Sequence, residues 1–258
     1  MLRPRVIPCL LVQNDGLVKT VKFTDPKYVG DPINAVRIFN EKEVDELVVL
    51  DIDATRLGRA PNFERIRHLA SECRMPLCYG GGVRTAEQIV EIIGLGVEKV
   101  ALSAAAVERP ALIADAARRV GRQSIVVVID VKRTGLLRRH EVVTHNATRP
   151  TGLHPVDFAR QVAEMGAGEI VVSSVDRDGT MTGYDLDLVD AVRAAVDIPL
   201  TVLGGAGALT DIQALFARHP IIGAAAGSLF VFKGRYRAVL INYPDRDARE
   251  ALYPARPT

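Results

Sequence analysis

The sequence predicts a single-domain barrel of eight parallel strands with helices between them, a (β/α)8 or TIM barrel over residues 1–258. Strand-like apolar runs alternate with amphipathic helical segments, a pattern typical of parallel strands joined by right-handed crossovers. Eight such units in a chain of 258 residues match the usual size of this barrel. A third observation, internal repetition, indicates how the barrel is built.

The two halves of the chain resemble each other at one constant offset, which carries residue 46 onto residue 169. The run Glu46-Leu-Val-Val-Leu-Asp-Ile-Asp53 matches Glu169-Ile-Val-Val-Ser-Ser-Val-Asp176, and the same offset takes Gly81-Gly82 onto Gly204-Gly205. Several matches at one offset are a sign of duplication. We therefore expect two duplicated half-barrels of four strand–helix units each.

Each predicted strand is a short apolar run, and each predicted helix begins at or next to a capping residue or a proline. The strands are expected at 6–12, 46–53, 76–80, 99–103, 124–133, 169–176, 199–203 and 221–226. The helices are expected at 31–43, 62–73, 85–95, 110–120, 155–165, 185–196 and 210–218. Residues 13–30 are predicted to form a long loop, and residues 136–144 a small surface hairpin.

Composition excludes several classes of function. The chain is 48% hydrophobic, and its net charge of +2 gives no basis for nucleic-acid binding. Cys9, Cys73 and Cys78 match no metal-binding spacing, so we expect reduced thiols, no metal and no cofactor. The first apolar run is too short for a signal peptide or a membrane span, which favours a cytoplasmic protein.

Two aspartates are candidate acid/base groups. Asp130 ends a run of β-branched residues that is typical of a strand buried on both faces, where an ionised carboxylate is tolerated only at the strand end. Asp176 opens a glycine-containing loop after the sixth strand and is expected to face the neighbourhood of Asp130. The alternative for Asp130 is a simple cap of the next segment, since strand-to-loop turns favour aspartate.

Glycines and small hydroxyl residues follow strands on opposite sides of the predicted barrel. Backbone N–H groups in such turns can approach an anion closely, so we expect two phosphate sites and an elongated, bisphosphorylated ligand. The alternative is that the glycines only form tight turns. The predicted phosphate-binding residues are Gly81, Gly82, Ser103, Gly204, Gly205, Gly227 and Ser228.

At these residues the chain resembles the cyclase subunit of imidazole glycerol phosphate synthase. The resemblance is carried by Gly30-Asp-Pro32, Asp45-Glu-Leu47, Tyr79-Gly-Gly-Gly-Val83, Ala105-Ala-Val-Glu108, Ile129-Asp-Val-Lys-Arg133, Asp176-Arg-Asp-Gly-Thr180, Gly183-Tyr-Asp185 and Gly204-Gly-Ala-Gly207. It implies a barrel that receives ammonia from a partner glutaminase in a heterodimer. The ammonia passes along the barrel axis and attacks a phosphoribulosyl-aminoimidazole nucleotide, which is cleaved and cyclised.

The resemblance also implies an entrance gate for ammonia, formed by Arg5, Glu46, Lys99 and Glu169. Their positions agree with this role, because charges of both signs at the starts of four strands would meet at one end of the barrel. The alternative is a set of four unrelated surface charges.

The sequence departs from the family pattern at several places. The family uses a second aspartate at the end of the first strand, where this chain has Leu11, and leucine cannot transfer a proton. Ser103 and Ala104 stand where an Asn-Thr pair is usual. The loop after the first strand keeps Lys19 in an unusual setting, and the tail lacks the pattern of a long closing helix.

These departures resemble a branch of the family that is associated with amidation of a surface-polysaccharide sugar. In that branch the barrel is thought to supply ammonia to a third protein, an amidotransferase-type synthetase. Three alternatives stay open. One is a genuine cyclase of histidine biosynthesis; another is the related phosphoribosyl-aminoimidazole isomerase, which needs the same aspartate pair and no ammonia gate. The third is a purely structural scaffold, against which the intact glycine loops argue.

Overall fold

Eight parallel strands close into a barrel in the computed structural model of the chain, which describes residues 3–253. The barrel strands are Arg5–Gln13, Leu47–Asp51, Leu77–Gly80, Lys99–Leu102, Ile125–Thr134, Glu169–Ser174, Leu200–Leu203 and Gly223–Ala226. Each pairs in parallel with the next in sequence, and the first pairs with the eighth. The predicted (β/α)8 barrel is confirmed. Residues 1–2 and 254–258 of the predicted domain lie outside the described residues.

The predicted helices are all present, with ends that differ from the prediction by at most three residues. They are Pro32–Glu41, Phe63–Glu72, Ala86–Gly94, Ala111–Val120, Pro155–Glu164, Leu186–Arg193 and Leu209–Arg218. The caps form as expected at Asp31, which accepts from Asn34 N at 2.8 Å, and at Thr85, which forms a capping box with Gln88. The short helices Ala104–Glu108, Ser228–Val231 and Arg246–Glu250 were not predicted.

The prediction of a loop at 13–30 is wrong, because this segment forms a β-hairpin, named here the mouth hairpin. Its strands are Gly16–Val21 and Thr24–Gly30, and the first of them pairs with the end of the first barrel strand. Lys22 and Phe23 form the turn with φ values of 54° and 62°. Two-residue hairpin turns usually carry Asn or Gly at such positions, so the sequence gives no turn signal here.

The predicted surface hairpin is present, but its first strand is a continuation of the fifth barrel strand. Residues Arg139–Thr144 pair antiparallel with the end of that strand, with Val131 opposite Val142 and Thr134 opposite Arg139. The fifth strand therefore continues four residues beyond Asp130, close to the end expected at residue 133.

The tail contains no long closing helix within the described residues. It forms a small hairpin of Phe232–Lys233 and Ala238–Val239, crosses to the amino-terminal end of the strands, and ends in the short helix Arg246–Glu250.

The side chains that fill the interior of the barrel form one cluster, and those that pack between the strands and the helices form another. The inner core is small and apolar; it contains Ile7, Cys9, Val48, Cys78, Ala101, Val126, Val128, Val171 and Ala225. The outer core is much larger and packs the helices onto the strands. This alternation places odd and even residues of each strand on different faces, and it fixes which of them reach the two ends of the barrel axis.

Candidate functional site

A cavity of about 140 Å³ opens at the carboxyl ends of the barrel strands, and we call it the mouth cavity. Its wall brings together Leu11 and nine of the residues predicted for this end of the barrel. Those residues are Lys19, Gly81, Gly82, Ser103, Asp130, Gly204, Gly205, Gly227 and Ser228. The predicted acid/base residue Asp176 is not part of this wall.

Asp130 is the carboxyl group of the mouth cavity that is best suited to proton transfer. Burial raises its pKa from 3.8 to about 7, although hydrogen bonds from Ser103 and Ser173 favour the ionised form. Ser103 Oγ donates to Asp130 Oδ2 at 3.1 Å. A carboxyl group with a pKa near 7 can both accept and release a proton near neutral pH, which is the property of a general acid/base.

Leu11 contributes an apolar side chain to the same wall. Its backbone lies between Val18 of the mouth hairpin and Leu50 of the second barrel strand. Leu11, Leu50 and Leu203 pack on the inner core just below the cavity. These leucines enclose the cavity floor without offering a proton, and an apolar floor disfavours ionisation of the nearby Asp130.

Asp176 lies in the turn that follows the sixth strand and does not line the cavity. Its Oδ2 accepts a hydrogen bond from Arg133 N at 2.8 Å. The residue that enters the mouth cavity from this loop is Asp178, two positions later. A short 3₁₀ turn at residues Val175–Arg177 interrupts the strand alternation, and Asp178 rather than Asp176 faces the cavity. The Asp-Arg-Asp run marks both aspartates as candidate site residues, but it does not indicate the turn that decides which of them faces the cavity.

The mouth hairpin is held across the cavity by Asp178. Thr20 Oγ1 donates to Asp178 Oδ2 at 2.7 Å, and Phe23 N donates to the same oxygen at 3.1 Å. Burial raises the pKa of Asp178, and these hydrogen bonds act against that shift. Lys19 of the same hairpin points inward, where Nζ donates to Cys9 O at 2.5 Å. Burial lowers the Lys19 pKa, and the charge of Asp178 opposes that effect.

The glycine turns are symmetric, and each is required by close approach of the backbone. A Cβ on Gly81, whose φ is 125°, would lie 2.5 Å from Asp51 O. A Cβ on Gly204, whose φ is 99°, would lie 2.7 Å from Ser174 O. The turns therefore need glycine with or without a ligand. Each is followed one strand later by a short helix whose first residues line the cavity, at Ser103 and at Gly227.

His145 and Asn146 also line the mouth cavity, and sequence reasoning missed both. They follow the fifth-strand hairpin with φ values of 54° and 56°. Asn146 Nδ2 donates to Ile52 O at 2.9 Å, which ties this loop to the far wall. Burial lowers the pKa of His145, so it is mostly neutral at pH 7. Neither residue stood in a pattern that the sequence marked.

At the opposite end of the barrel, Arg5, Glu46, Lys99 and Glu169 form one closed cluster, which we call the charged ring. Arg5 contacts Glu46 directly and reaches Glu169 Oε1 at 2.7 Å. Lys99 Nζ lies 2.8 Å from Glu46 Oε1 and 2.8 Å from Glu169 Oε2. Each cation therefore contacts both carboxylates. This arrangement excludes the alternative that the four residues are unrelated surface charges.

The charges of the charged ring interact strongly with one another because their side chains are largely buried. Burial alone would raise the pKa of Glu169, but the charges and hydrogen bonds of Arg5 and Lys99 outweigh it and hold the pKa at about 2. The pKa values of Lys99 and Arg5 are raised in return, although burial opposes both shifts. Thr201 Oγ1 adds a hydrogen bond of 2.6 Å to Glu169 Oε1. Arg5, Lys99 and Glu169 are therefore charged at pH 7.

The inner core that lies between the charged ring and the mouth cavity is formed by apolar side chains, and Lys19 Nζ contacts it at Cys9 O. Its two thiols are neutral, since burial raises the pKa of Cys9 to about 11 and that of Cys78 well above its usual value. Within residues 3–253 there is no group of three His, Cys, Asp or Glu residues that could hold a metal ion. Among the same residues, no helix has the length and apolar character needed to cross a membrane.

A parallel barrel with a small-molecule cavity at the carboxyl ends of its strands is the architecture of a large class of enzymes and their relatives. This chain matches the family described as histidine biosynthesis protein over residues 5–237. The chain belongs to that family, and within it to the HisF group of imidazole glycerol phosphate synthase subunits.

The relatives fall at two levels of similarity. A protein of Leptospira interrogans, provisionally named imidazole glycerol phosphate synthase subunit HisF, is 55% identical over 98% of this chain and 100% of its own length. A Vibrio vulnificus protein, provisionally named subunit hisF3, is 57% identical over 95% of this chain and 94% of its own. A Hyphomonas neptunium protein named outright as subunit HisF is 43% identical over 90% of this chain and 91% of its own.

Proposed function

We propose that this chain is the ammonia-receiving barrel subunit of a glutamine amidotransferase complex, and that it delivers ammonia rather than completing the imidazole-forming cyclisation itself. The observation that carries the proposal is Leu11 in the wall of the mouth cavity. The resemblance places an acid/base aspartate at this position. Three carboxyl groups of the cavity wall, those of Asp51, Asp130 and Asp178, have a pKa raised by burial, and that of Asp130 reaches about 7.

The charged ring supports an entrance for ammonia at the base of the barrel. It joins Arg5 and Lys99 to Glu46 and Glu169 at the start of the axis, and each cation contacts both acidic side chains. The inner core beyond it is formed by apolar side chains, so it favours neutral ammonia over ammonium, whose burial without a partner is costly. A glutaminase subunit bound over the charged ring would release ammonia directly against this entrance.

We further propose that the acceptor is a sugar of surface-polysaccharide biosynthesis, amidated by a third, amidotransferase-type protein. The support is the resemblance to that branch of the family and the grouping of the relatives. Four relatives at 52–57% identity carry provisional names, two of them the numbered names hisF2 and hisF3. Two relatives named outright as HisF are only 42–43% identical.

The second candidate is a genuine cyclase of histidine biosynthesis, and one observation favours it. Asp178 enters the mouth cavity with a pKa raised by burial, so it could take the place of the missing first-strand aspartate. An isomerase is less well supported, because it would have no use for the charged ring.

The test is direct assay of cyclisation. The purified chain is incubated with the phosphoribulosyl-aminoimidazole nucleotide and excess ammonium salt at alkaline pH, and loss of substrate absorbance is followed. Because a general acid/base contributes about 10²–10⁴-fold in rate, we expect turnover at least about a hundredfold below that of an ordinary HisF cyclase. Turnover at the ordinary rate would refute the conduit proposal and favour Asp178 as the second acid.

Two variants sharpen this assay. Leu11→Asp supplies a carboxyl group at the position that the resemblance assigns to catalysis, and it is expected to raise turnover. Leu203→Asp is the matched control, because it adds the same charge to another wall of the same cavity. Equal gains in both variants would mean that the charge of the cavity matters rather than the first-strand position.

A further inference from the structure

The start of the first barrel strand lacks a strand partner on one side. Arg5 to Pro8 pair with the eighth strand, whereas pairing with the second strand begins only at Cys9, opposite Val48. Arg5 N donates to Ile222 O on the eighth-strand side. Successive residues of a strand direct their backbone groups to opposite neighbours. The N–H and C=O of Val6 therefore point toward the second strand, where no strand pairing satisfies them.

Two groups from outside the sheet bind both of these backbone atoms. Asp45 Oδ2 accepts from Val6 N at 2.8 Å. The Tyr243 hydroxyl donates to Val6 O at 2.8 Å and accepts from Asp45 N at 3.3 Å. Tyr243 and Asp45 thus occupy the place of the missing strand pairing.

This arrangement lies next to the charged ring in sequence as well as in space. Val6 follows Arg5, and Asp45 precedes Glu46. Arg5 and Glu46 contact each other directly across the two segments. Through its single hydroxyl, Tyr243 holds together the two backbone segments that carry these members of the ring.

Tyr243 is itself firmly held by the tail. Its side chain is buried, and its ring packs on Phe230 with centroids 5.3 Å apart. The Arg249 guanidinium lies 5.3 Å from the ring centroid, and Arg249 Nη1 contacts Asp45 Oδ1 at 2.8 Å. Burial raises the pKa of Tyr243, so its hydroxyl keeps the proton that it donates to Val6.

We propose that Tyr243 is a positioning residue for the charged ring. The tail carries it from the mouth side of the barrel to the base, where it fixes the separation of the first and second strands and so holds the ring closed. The description of the ring as an ammonia entrance rests on the proposed function, but the positioning of its side chains by Tyr243 does not.

The experiment measures how readily Lys99 is exposed. The purified full chain of wild type, Tyr243→Phe and Tyr253→Phe is treated with acetic anhydride, and acetylation of Lys99 is followed by mass spectrometry relative to exposed Lys22. Tyr253→Phe is the matched control, because Tyr253 belongs to the same tail but packs on Phe216, with centroids 6.0 Å apart. Hydrogen exchange of the peptide that contains Val6 is measured in parallel.

Loss of the Tyr243 hydroxyl leaves buried backbone groups of Val6 and Asp45 without their partner. We therefore expect Lys99 acetylation about tenfold faster or more in Tyr243→Phe, with faster exchange at Val6, and rates within about twofold of wild type in Tyr253→Phe. An unchanged Lys99 rate in folded Tyr243→Phe would overturn the proposal. Equal acceleration in both variants would overturn it too, because it would show general loosening of the tail.

Should Tyr243→Phe fail to fold, Asp45→Asn takes its place, since it removes the charged acceptor on the other side of Val6. It is expected to accelerate Lys99 acetylation, and an unchanged rate would again contradict the proposal. Neither readout involves glutamine, a partner or an ammonia acceptor. An unchanged rate of Lys99 acetylation therefore leaves the proposed function standing. Turnover at the ordinary rate in the cyclisation assay would refute the conduit proposal without affecting the Lys99 result.

Discussion

Replacing Asp130 with asparagine is expected to stabilise the protein and at the same time to remove its best acid/base group. The pKa of Asp130 is raised from 3.8 to about 7, mainly by burial. The folded state therefore holds this proton more tightly than the unfolded state does. Stability falls as the pH rises from about 4 to about 7, and the loss is complete above that range.

The size of the effect follows from the shift. A difference of about three pKa units corresponds to about 4 kcal/mol, and the part of Asp130 that faces the cavity reduces this to about 3 kcal/mol through solvent screening. Asparagine keeps an acceptor for Ser103 Oγ but carries no charge at any pH. Asp130→Asn should thus be about 3 kcal/mol more stable than wild type at pH 8 and nearly equal to it at pH 4.

The assay is urea unfolding of both proteins at pH 4.5, 5.5, 7 and 8. Ser103→Ala serves as the companion variant, because it removes a hydrogen bond that favours ionised Asp130. It should lower stability more at pH 8 than at pH 4.5. A stability difference between Asp130→Asn and wild type that stays constant from pH 4.5 to pH 8 would refute the reasoning, since it would arise from packing and not from the buried carboxyl group.

Three further outcomes follow from other parts of the molecule. Glu169→Gln is expected to cost about 3 kcal/mol at pH 7, and because the Glu169 pKa is lowered from 4.5 to about 2, the difference from wild type in urea unfolding should shrink as the pH falls below 4.5. Gly204→Ala should lower thermal stability by about 2 kcal/mol, because its Cβ would lie 2.7 Å from Ser174 O. Thr20→Val should cost about 1 kcal/mol and speed hydrogen exchange in the mouth hairpin, because it removes the contact with Asp178.

The barrel could be predicted from the sequence because strand and helix periods alternate without interruption. Residues Glu169–Ser174 are buried throughout, and Pro155–Glu164 begins with proline, so both elements stood out locally. The mouth hairpin could not be predicted in the same way. Its second strand, Thr24–Gly30, is mostly exposed, and its turn at Lys22 and Phe23 lacks glycine. Tertiary contact with Asp178 stabilises this element rather than local preference.

Site residues could be predicted from the sequence where they lie at the end or at the start of a barrel strand. Asp130 and Gly204 were found because the parallel topology gathers strand ends at one rim. Lys99 was found through the family resemblance, and its place at a strand start agrees with the opposite rim. Asp178 was missed for a geometrical reason, since a turn after the sixth strand decides which of two aspartates faces the cavity. His145 was missed because it reaches the cavity from a loop that follows a hairpin, where strand order gives no information.

The charged ring is difficult to explain as a source of stability. Burying two cations and two carboxylates requires removing them from water, and a set of well-packed apolar residues of similar size is often as stable or more so. The side chains of Glu46 and Glu169 are only 5% and 6% exposed, so this desolvation is nearly complete for both carboxylates. The mouth, by contrast, has an apolar Leu11 where the resemblance places a charge. Under the proposed function, a charged ring at the amino-terminal end and the loss of an aspartate at the mouth are what we expect of a subunit that admits and delivers ammonia.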